Sequence, residues 1–396
     1  MVFYGGVTAE MERIAFVCQR YGTEVNGGSE LHCYQLTERL AEHFDVTVYT
    51  TCALDYVTWK NHYPAGETCI GPIRVKRYPV EKERDKGRFD RLCEKVLGKP
   101  HTDREEEKWI DEQGPYCPEL IRNLEKEHGE YKKVFFMTYL YYLTARGLPM
   151  GFDNAMLIPT VHDEPPVYLR YYDRVFAAAK GICWNTEEEK AFAIRRFPMI
   201  KDTPSIMVGV GMNEPPKELP EIPESLRERK YLVYAGRIDE SKGCGEMFSY
   251  FQRFREENGE EISLVLMGKP VMEIPKDEGI IPLGFVSDEM KLAVMKEAFA
   301  LVLFSRFESL SMVVLESMIM GRPVIVNAKC EVLKGHCVRS NAGLYFSNYP
   351  EFREEVKWML AHPTEYEQMR INGKEYVREN YSWSRIVEKY KQMIEV

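Results

Sequence analysis

"RIAFVCQRYGTEVNGGSELHCYQLTERLAEHFDVTVYTT" (Arg13–Thr51) decides the fold class. Its opening, "RIAFVCQ", is a short apolar run that ends in a loop, as a buried strand does. "GGSELHCYQLTERLAEHF" follows, and Leu31, Tyr34, Leu36, Leu40 and Phe44 recur near helical spacing. "DVTVYTT" (Asp45–Thr51) is the next strand. Strand, loop, helix and strand open a βαβ unit, so the sheet is expected to be parallel.

The rhythm continues through "KVFFMTYLYYLT" (Lys133–Thr144), "AMLIPTVHDE" (Ala155–Glu164) and "GICWNT" (Gly181–Thr186), each read as a strand with a loop at its C-terminal end. "MNEPPKELPEIPESLRERK" (Met212–Lys230) is rich in Pro and Glu and reads as a linker. After it the βα pattern restarts. "KYLVYAG", "ISLVLMG", "GIIPLGFV", "FALVLFS" and "RPVIVN" are strands, and "MFSYFQRFREEN" is a helix. The expected architecture is α/β: two doubly wound domains, 1–211 and 212–380, facing a cleft, with a last helix in 381–396 that packs back on the first. Ligands of such sheets bind at the C-terminal ends of the strands.

Composition excludes several classes. A chain of 396 residues, 44% hydrophobic and 12% aromatic, can bury two cores and is not a disordered one. A formal net charge of −9 opposes general nucleic-acid binding, which needs a basic excess. The ten cysteines are scattered without a CxxC pair. No basic region followed by an apolar run precedes them, so a cytoplasmic chain with reduced thiols is expected. No stretch approaches the ~20 apolar residues of a membrane span. Arg74–Lys108 holds 12 Lys/Arg against 9 Asp/Glu, a small surplus that reads first as a solvated face and otherwise as a docking surface for an acidic acceptor or an anionic membrane. It is the one hint of peripheral membrane contact.

Three segments carry chemistry. In "YAGRIDESKGCGE" (Tyr234–Glu246), Arg237 and Lys242 lie between a strand end and a helix start, which suits a diphosphate. In "FSRFESLSMVVLESMIMGRPVIV" (Phe304–Val326), Ser309 or Ser311 is expected to cap a helix that runs to Met320 and stops at Gly321. Glu308 then precedes the helix and Glu316 lies inside it. A fully helical path of eight residues would separate them by about 12 Å. A buried carboxylate on so apolar a helix needs donors, and ligand hydroxyls supply them. In "PTVHDEPP" (Pro159–Pro166), His162 follows a strand end, with Asp163 and Glu164 beside it to orient the ring or hold an acceptor.

"FESLSMVVLESMIMGRPVI" resembles the Glu–seven residues–Glu motif of retaining glycosyltransferases of the GT-B fold, family 4 (glycosyl transferases group 1). "GRIDESKG" resembles that family's Arg/Lys phosphate motif, and "GGSE" (Gly27–Glu30) its N-terminal glycine loop. The resemblance covers about Arg13 to Val396. It implies two Rossmann-like domains, the first for the acceptor and the second for the nucleotide-sugar. Arg237 and Lys242 would bind the donor diphosphate, helped by the amides around Ser309, Leu310 and Ser311. Glu316 would hold the ribose and Glu308 the donor sugar. Gly27 and Gly28 would approach the phosphate or the acceptor, and His162 would stand near the reacting sugar.

Three features depart from the family pattern. Ser309 and Ser311 stand where it has glycines. "VGVGMN" (Val208–Asn213) replaces its usual hinge. Asn327–Phe346, read as a loop beside the site, carries Cys330, His336 and Cys337. These three lack a fourth metal ligand and a close Cys pair, so the loop is expected to lend backbone or shape to the sugar pocket.

The implied function is a retaining, hexosyltransferase-type enzyme (EC 2.4) with no cofactor and no required metal. Its donor would be a nucleotide-diphospho-sugar and its acceptor a hydroxyl on a glycan, a lipid-linked glycan or a small molecule, in polysaccharide or glycoconjugate synthesis. The rivals are a non-hydrolysing nucleotide-sugar epimerase of the same fold, a solute-binding module and an inactive nucleotide-sugar-binding partner subunit.

Overall fold

The computed structural model describes residues 11–25, 27–259 and 262–396. The chain divides into two compact units. One runs from the N-terminal side to Val208 and includes Val387–Val396; the other is Gly209–Ile386.

The first unit is built on eight strands: β1 (Arg13–Val17), β2 (Asp45–Thr51), β3 (Gly66–Ile70), β4 (Ile73–Tyr78), β5 (Lys133–Met137), β6 (Ala155–Ile158), β7 (Gly181–Trp184) and β8 (Ser205–Met207). Their spatial order is β3-β4-β2-β1-β5-β6-β7-β8. The sheet is parallel except for β3, which pairs antiparallel with β4. The parallel expectation therefore fails at one edge, where "GETCI" and "IRVKRY" form a hairpin too short for a helical crossover. The central strands β1, β5, β6 and β7 are buried almost throughout, which is why they read as unbroken apolar runs. β4 alternates buried and half-buried residues. The charged region Arg74–Lys108 is thus partly a sheet strand, followed by helices Lys86–Val96 and Asp103–Gln113. Lys133–Thr144 opens with β5 and a loop as read, and a helix not foreseen starts at Tyr142. The C-terminal helix is Trp383–Glu395, and its Tyr390 packs edge-on against Phe135 of β5, ring centroids 5.8 Å apart.

The second unit has six parallel strands: β9 (Lys230–Ala235), β10 (Ile262–Met267), β11 (Ile280–Gly284), β12 (Ala300–Leu303), β13 (Val324–Asn327) and β14 (Gly343–Phe346). The order is β11-β10-β9-β12-β13-β14, so the winding reverses between β9 and β12. All six side chains of β10 are buried, each apolar one contributing about 1.5–3 kcal/mol. Asn327–Phe346 is not a loop. It holds helix Glu331–Ser340 and strand β14, which a four-residue "GLYF" run announces poorly. Between Met212, which makes an isolated bridge with Ser382, and β9 the chain is irregular apart from one short turn at Glu224–Leu226.

Candidate active site

The second unit gathers its candidates at the strand ends where the winding reverses. β9 ends, and the chain turns through Gly236 and Arg237 into a single helical turn capped by Asp239. Gly243, at φ 73°, then starts helix Cys244–Asn258. A Cβ on Gly243 would lie 2.5 Å from the Phe304 carbonyl oxygen, so only glycine lets this loop sit on the end of β12. Arg237 pairs with Asp239 through Nε and lies 3.4 Å from Ser241 Oγ. Lys242 Nζ is 2.8 Å from Glu308 Oε1. Burial works against the Lys242 charge, but Glu308 outweighs it and the pKa is raised.

The stretch from Phe304 to Ser311 is irregular, and the helix covers only Met312–Ile319. The helical path assumed from Glu308 to Glu316 therefore does not exist. Ser311 stands at the N-cap but makes no side-chain cap, because its backbone is left-handed, φ 67° and ψ 76°. Its buried hydroxyl has no hydrogen-bond partner. The C-terminal end behaves as read. Gly321 is left-handed, its N–H reaches Met318 O, and Arg322 N–H reaches Ser317 O, which closes the helix.

Glu316 is one turn into this helix, four-fifths buried, with Oε1 2.8 Å from Lys291 Nζ. Burial raises the Glu316 pKa; Lys291 opposes that and Asp288, 3.1 Å from the same ammonium, adds to it. Lys291 gives no sign in the sequence, because it comes from helix Asp288–Glu297 as one lysine on an ordinary amphipathic surface. His336, noted in the sequence only beside Cys330 and Cys337, makes contacts that the sequence did not show. Fully buried, it bonds the Leu310 carbonyl through Nε2 at 2.7 Å and the Tyr376 hydroxyl through Nδ1 at 3.0 Å. Since Nε2 must donate to a carbonyl, Nδ1 accepts from Tyr376. Its role is to anchor the segment before the helix. Cys337 Sγ lies 3.6 Å from the Leu344 carbonyl, and Cys330 is buried at the start of its helix.

In the first unit, Gly27 precedes helix Gly28–Leu40 and has φ 153°. A Cβ there would lie 2.3 Å from Glu30 Oε2, whereas Gly28 has open space. What presses on Gly27 is a buried ion pair, Arg20 Nη2 to Glu30 Oε1 at 2.6 Å. His162 follows β6, with Nε2 3.5 Å from Glu164 Oε2. Tyr139 also donates to Glu164, at 2.7 Å. Burial would raise the Glu164 pKa, but His162 and the Tyr139 hydroxyl outweigh it and the net direction is down. Asp163 does not join: it accepts from Tyr168 at 2.6 Å. Beneath this loop, fully buried Glu189 accepts from the N–H groups of Val161 (2.8 Å) and Asn185 (2.6 Å). It thereby ties the strand ends of β6 and β7 together beside His162.

No helix of the described residues is long and apolar enough to cross a membrane. An uncharacterized glycosyltransferase of Methanocaldococcus jannaschii is 24% identical over 297 residues, 66% of this chain and 73% of its own length. A glycosyltransferase 1 domain-containing protein of Xenopus tropicalis is 31% identical over 175 residues, 41% of this chain and 49% of its own. Among solved structures, the sucrose-phosphate synthase of Thermosynechococcus elongatus matches with a TM-score of 0.69 at 16% identity, over 97% of this chain and 98% of that one. The trehalose-6-phosphate protein of E. coli, bound with UDP-2-fluoro glucose, matches at 0.72 and 11% identity, over 97% and 99%. Anabaena HepE, in complex with UDP and glucose, matches at 0.66 and 13% identity, over 97% and 99%. These likenesses fix the fold as that of the GT-B glycosyltransferases, two α/β units on parallel sheets. Residues 217–376, the stretch that holds Arg237, Lys242, Glu308 and Glu316, match the family described as Glycosyl transferases group 1.

Proposed function

We propose that the protein is a retaining glycosyltransferase, which moves a sugar from a nucleotide-diphospho-sugar to a hydroxyl acceptor without requiring a metal. The observation that carries this reading is the set of paired charges at the ends of β9 and β12. Arg237 and Lys242 offer cationic donors for a diphosphate, and the amides at the start of helix Met312–Ile319 offer a positive dipole end. Lys242 has three N–H donors, so it can hold Glu308 and a phosphate oxygen together. Glu308 is then placed to accept from the donor sugar's hydroxyls, and Glu316 from the ribose hydroxyls.

In this reading the cations stabilise the leaving diphosphate as the glycosidic bond breaks. A leaving phosphate oxygen takes the acceptor's proton on the same face, which retains the anomeric configuration. Gly27, Gly28, His162 and Asp163 belong to the acceptor and the reacting sugar, with Glu164 holding the imidazole. The acceptor is a sugar or glycan hydroxyl, as the names of the sugar-phosphate synthases of this fold suggest. Polysaccharide or glycoconjugate synthesis is the proposed setting, and contact with a membrane surface remains part of the proposal.

The test is a panel of nucleoside-diphosphate sugars with and without hydroxyl acceptors, in the presence of a chelator. Nucleoside diphosphate release that rises with acceptor and survives the chelator supports the proposal. Interconversion of free nucleotide sugars with no acceptor dependence would replace it with an epimerase. Loss of release on chelation, restored by a divalent cation, would overturn the metal-independent step.

A further inference from the structure

Arg77, near the end of β4, is the buried cation that the mechanism does not use. The residue is 6% exposed, and its Nη1 is buried with no hydrogen-bond partner. Its guanidinium lies over the Tyr63 ring, 4.2 Å from the centroid. The groups that act on its charge are Tyr63, Cys52 and Tyr21, none of them a carboxylate, and burial dominates them and lowers its pKa. A buried charge without an ionic partner is costly, and proteins retain one where a ligand supplies the partner.

The surroundings point the same way. Thr50 of β2 is the register partner of Arg77, so the two side chains leave the sheet on the same face. The Thr50 hydroxyl is fully buried and also lacks a partner. Gly22, on the loop after β1, closes the group: a Cβ there would lie 3.3 Å from Tyr63 Oη and 3.7 Å from Arg77 Nη2. Tyr63 also feels Glu24 and Arg20 of that loop; Arg20 is committed to Glu30.

We propose that Arg77, with Thr50 and Tyr63, forms an anion subsite in the first unit that takes a phosphate group of the acceptor. A guanidinium fork with unused N–H donors binds such an oxyanion bidentately. Two hydroxyls beside it favour phosphate over carboxylate, because phosphate offers a third oxygen to accept from them. The subsite stands on the first unit alone; that its phosphate belongs to an acceptor rests on the transferase reading.

The experiment is calorimetric titration of inorganic phosphate into the full chain carrying Arg237→Ala and Lys242→Ala, which removes phosphate binding in the second unit. Saturable binding is expected, and adding Arg77→Met should weaken it about tenfold or more. Equal affinity with and without Arg77→Met, or no binding while Arg77 is intact, overturns the subsite. Should Arg77→Met fail to fold, Thr50→Val keeps the test open, because it removes a subsite hydroxyl and leaves the guanidinium in place. Phosphate binding should weaken several-fold in Thr50→Val. Unchanged binding in Thr50→Val refutes the site. Competition then finds the source. Displacement by a hexose 6-phosphate but not by the neutral hexose assigns a soluble acceptor. Displacement by phosphatidic acid vesicles but not by phosphatidylcholine vesicles assigns a lipid one, and displacement by neither refutes the acceptor clause. Phosphate binding that depends on Arg77, together with no transferase activity in the unsubstituted chain, would leave the subsite standing and remove the transferase reading.

Discussion

Ser311→Gly should stabilise the second unit, although Ser309→Gly, two residues away, should not. Ser311 is left-handed at φ 67° and its hydroxyl is buried without a partner. A left-handed backbone costs a residue with a Cβ about 1–2 kcal/mol. An unsatisfied buried hydroxyl adds about 1 kcal/mol or more. Against this, glycine gains unfolded-state freedom worth about 0.5–1 kcal/mol. The balance is a gain of about 1–2 kcal/mol, or about 2–4 °C in Tm for each kcal/mol in a unit of this size. Ser311→Ala removes the hydroxyl but keeps the strained backbone, so its gain should be about 1 kcal/mol or less. Ser309 has no positive φ, so glycine there should lose about 0.5–1 kcal/mol. Urea and thermal unfolding of the three variants give the measurement. A Ser311→Gly protein no more stable than wild type, or one that shifts as Ser309→Gly does, would show that this backbone holds no strain.

Three further outcomes are expected. Arg237→Ala with Lys242→Ala should weaken a nucleoside diphosphate about a hundredfold while leaving the nucleoside nearly unchanged; equal losses would misplace the diphosphate. His336→Phe strands the Leu310 carbonyl, while the Tyr376 hydroxyl keeps Tyr381 and Arg339, so urea unfolding should show a loss of about 1–3 kcal/mol; a loss below about 1 kcal/mol would deny His336 its anchoring role. Glu189 is pushed up to about 8 by burial, against the pull of the Asn185 and Val161 N–H groups. In the window from its unfolded value to about 8 the folded state binds the extra proton, so this group's contribution to stability falls as pH rises. Glu189→Gln should abolish that fall, whose slope is at most about 1.4 kcal/mol per pH unit. His32, lowered to about 3 by burial, titrates with the opposite sign but equally in both proteins, so the difference between their stability curves isolates Glu189. A wild-type-minus-variant curve that is flat over this window would refute the assignment.

What the sequence made legible was whatever local spacing encodes. The βαβ opening, the restart after Met212–Lys230 and the loop of Arg237 and Lys242 are all contiguous, so their strands and turn residues announce them. Contacts between distant segments carry no such signal. Lys291 reaches Glu316 from 25 positions away, and His336 reaches Leu310 from 26, each between separate elements that a linear pattern does not connect. The helix Glu331–Ser340 was hidden for a different reason: "EVLKGHCVRS" mixes polar and apolar residues around the turn, and its buried His336 looks polar on paper. The cap expected of Ser311 failed because a left-handed residue turns its side chain away from the amides it would bond. Gly27 was expected to approach a phosphate or the acceptor, but the group that presses on it is Glu30 of the helix it precedes.

The pairing of charges changes what donor recognition would involve. Arg237 is matched by Asp239, Lys242 by Glu308 and Lys291 by Glu316, so the site is not a bare cationic patch. A diphosphate arriving there competes with carboxylates for the same N–H donors. Lys242 sharing itself with a phosphate weakens its hold on Glu308, and a carboxylate so loosened in a half-buried position needs a new donor. A sugar hydroxyl attached to that diphosphate is the donor within reach. On the proposed reading the sugar and the phosphate would be recognised through one ion pair rather than at two independent places. On that reading a nucleoside diphosphate without its sugar would share Lys242 with Glu308 and weaken that pair, whereas the intact donor would add a hydroxyl to Glu308 in return. Discrimination for the complete donor over the spent nucleotide follows from that coupling, and it is the property a transferase needs in order to release its product.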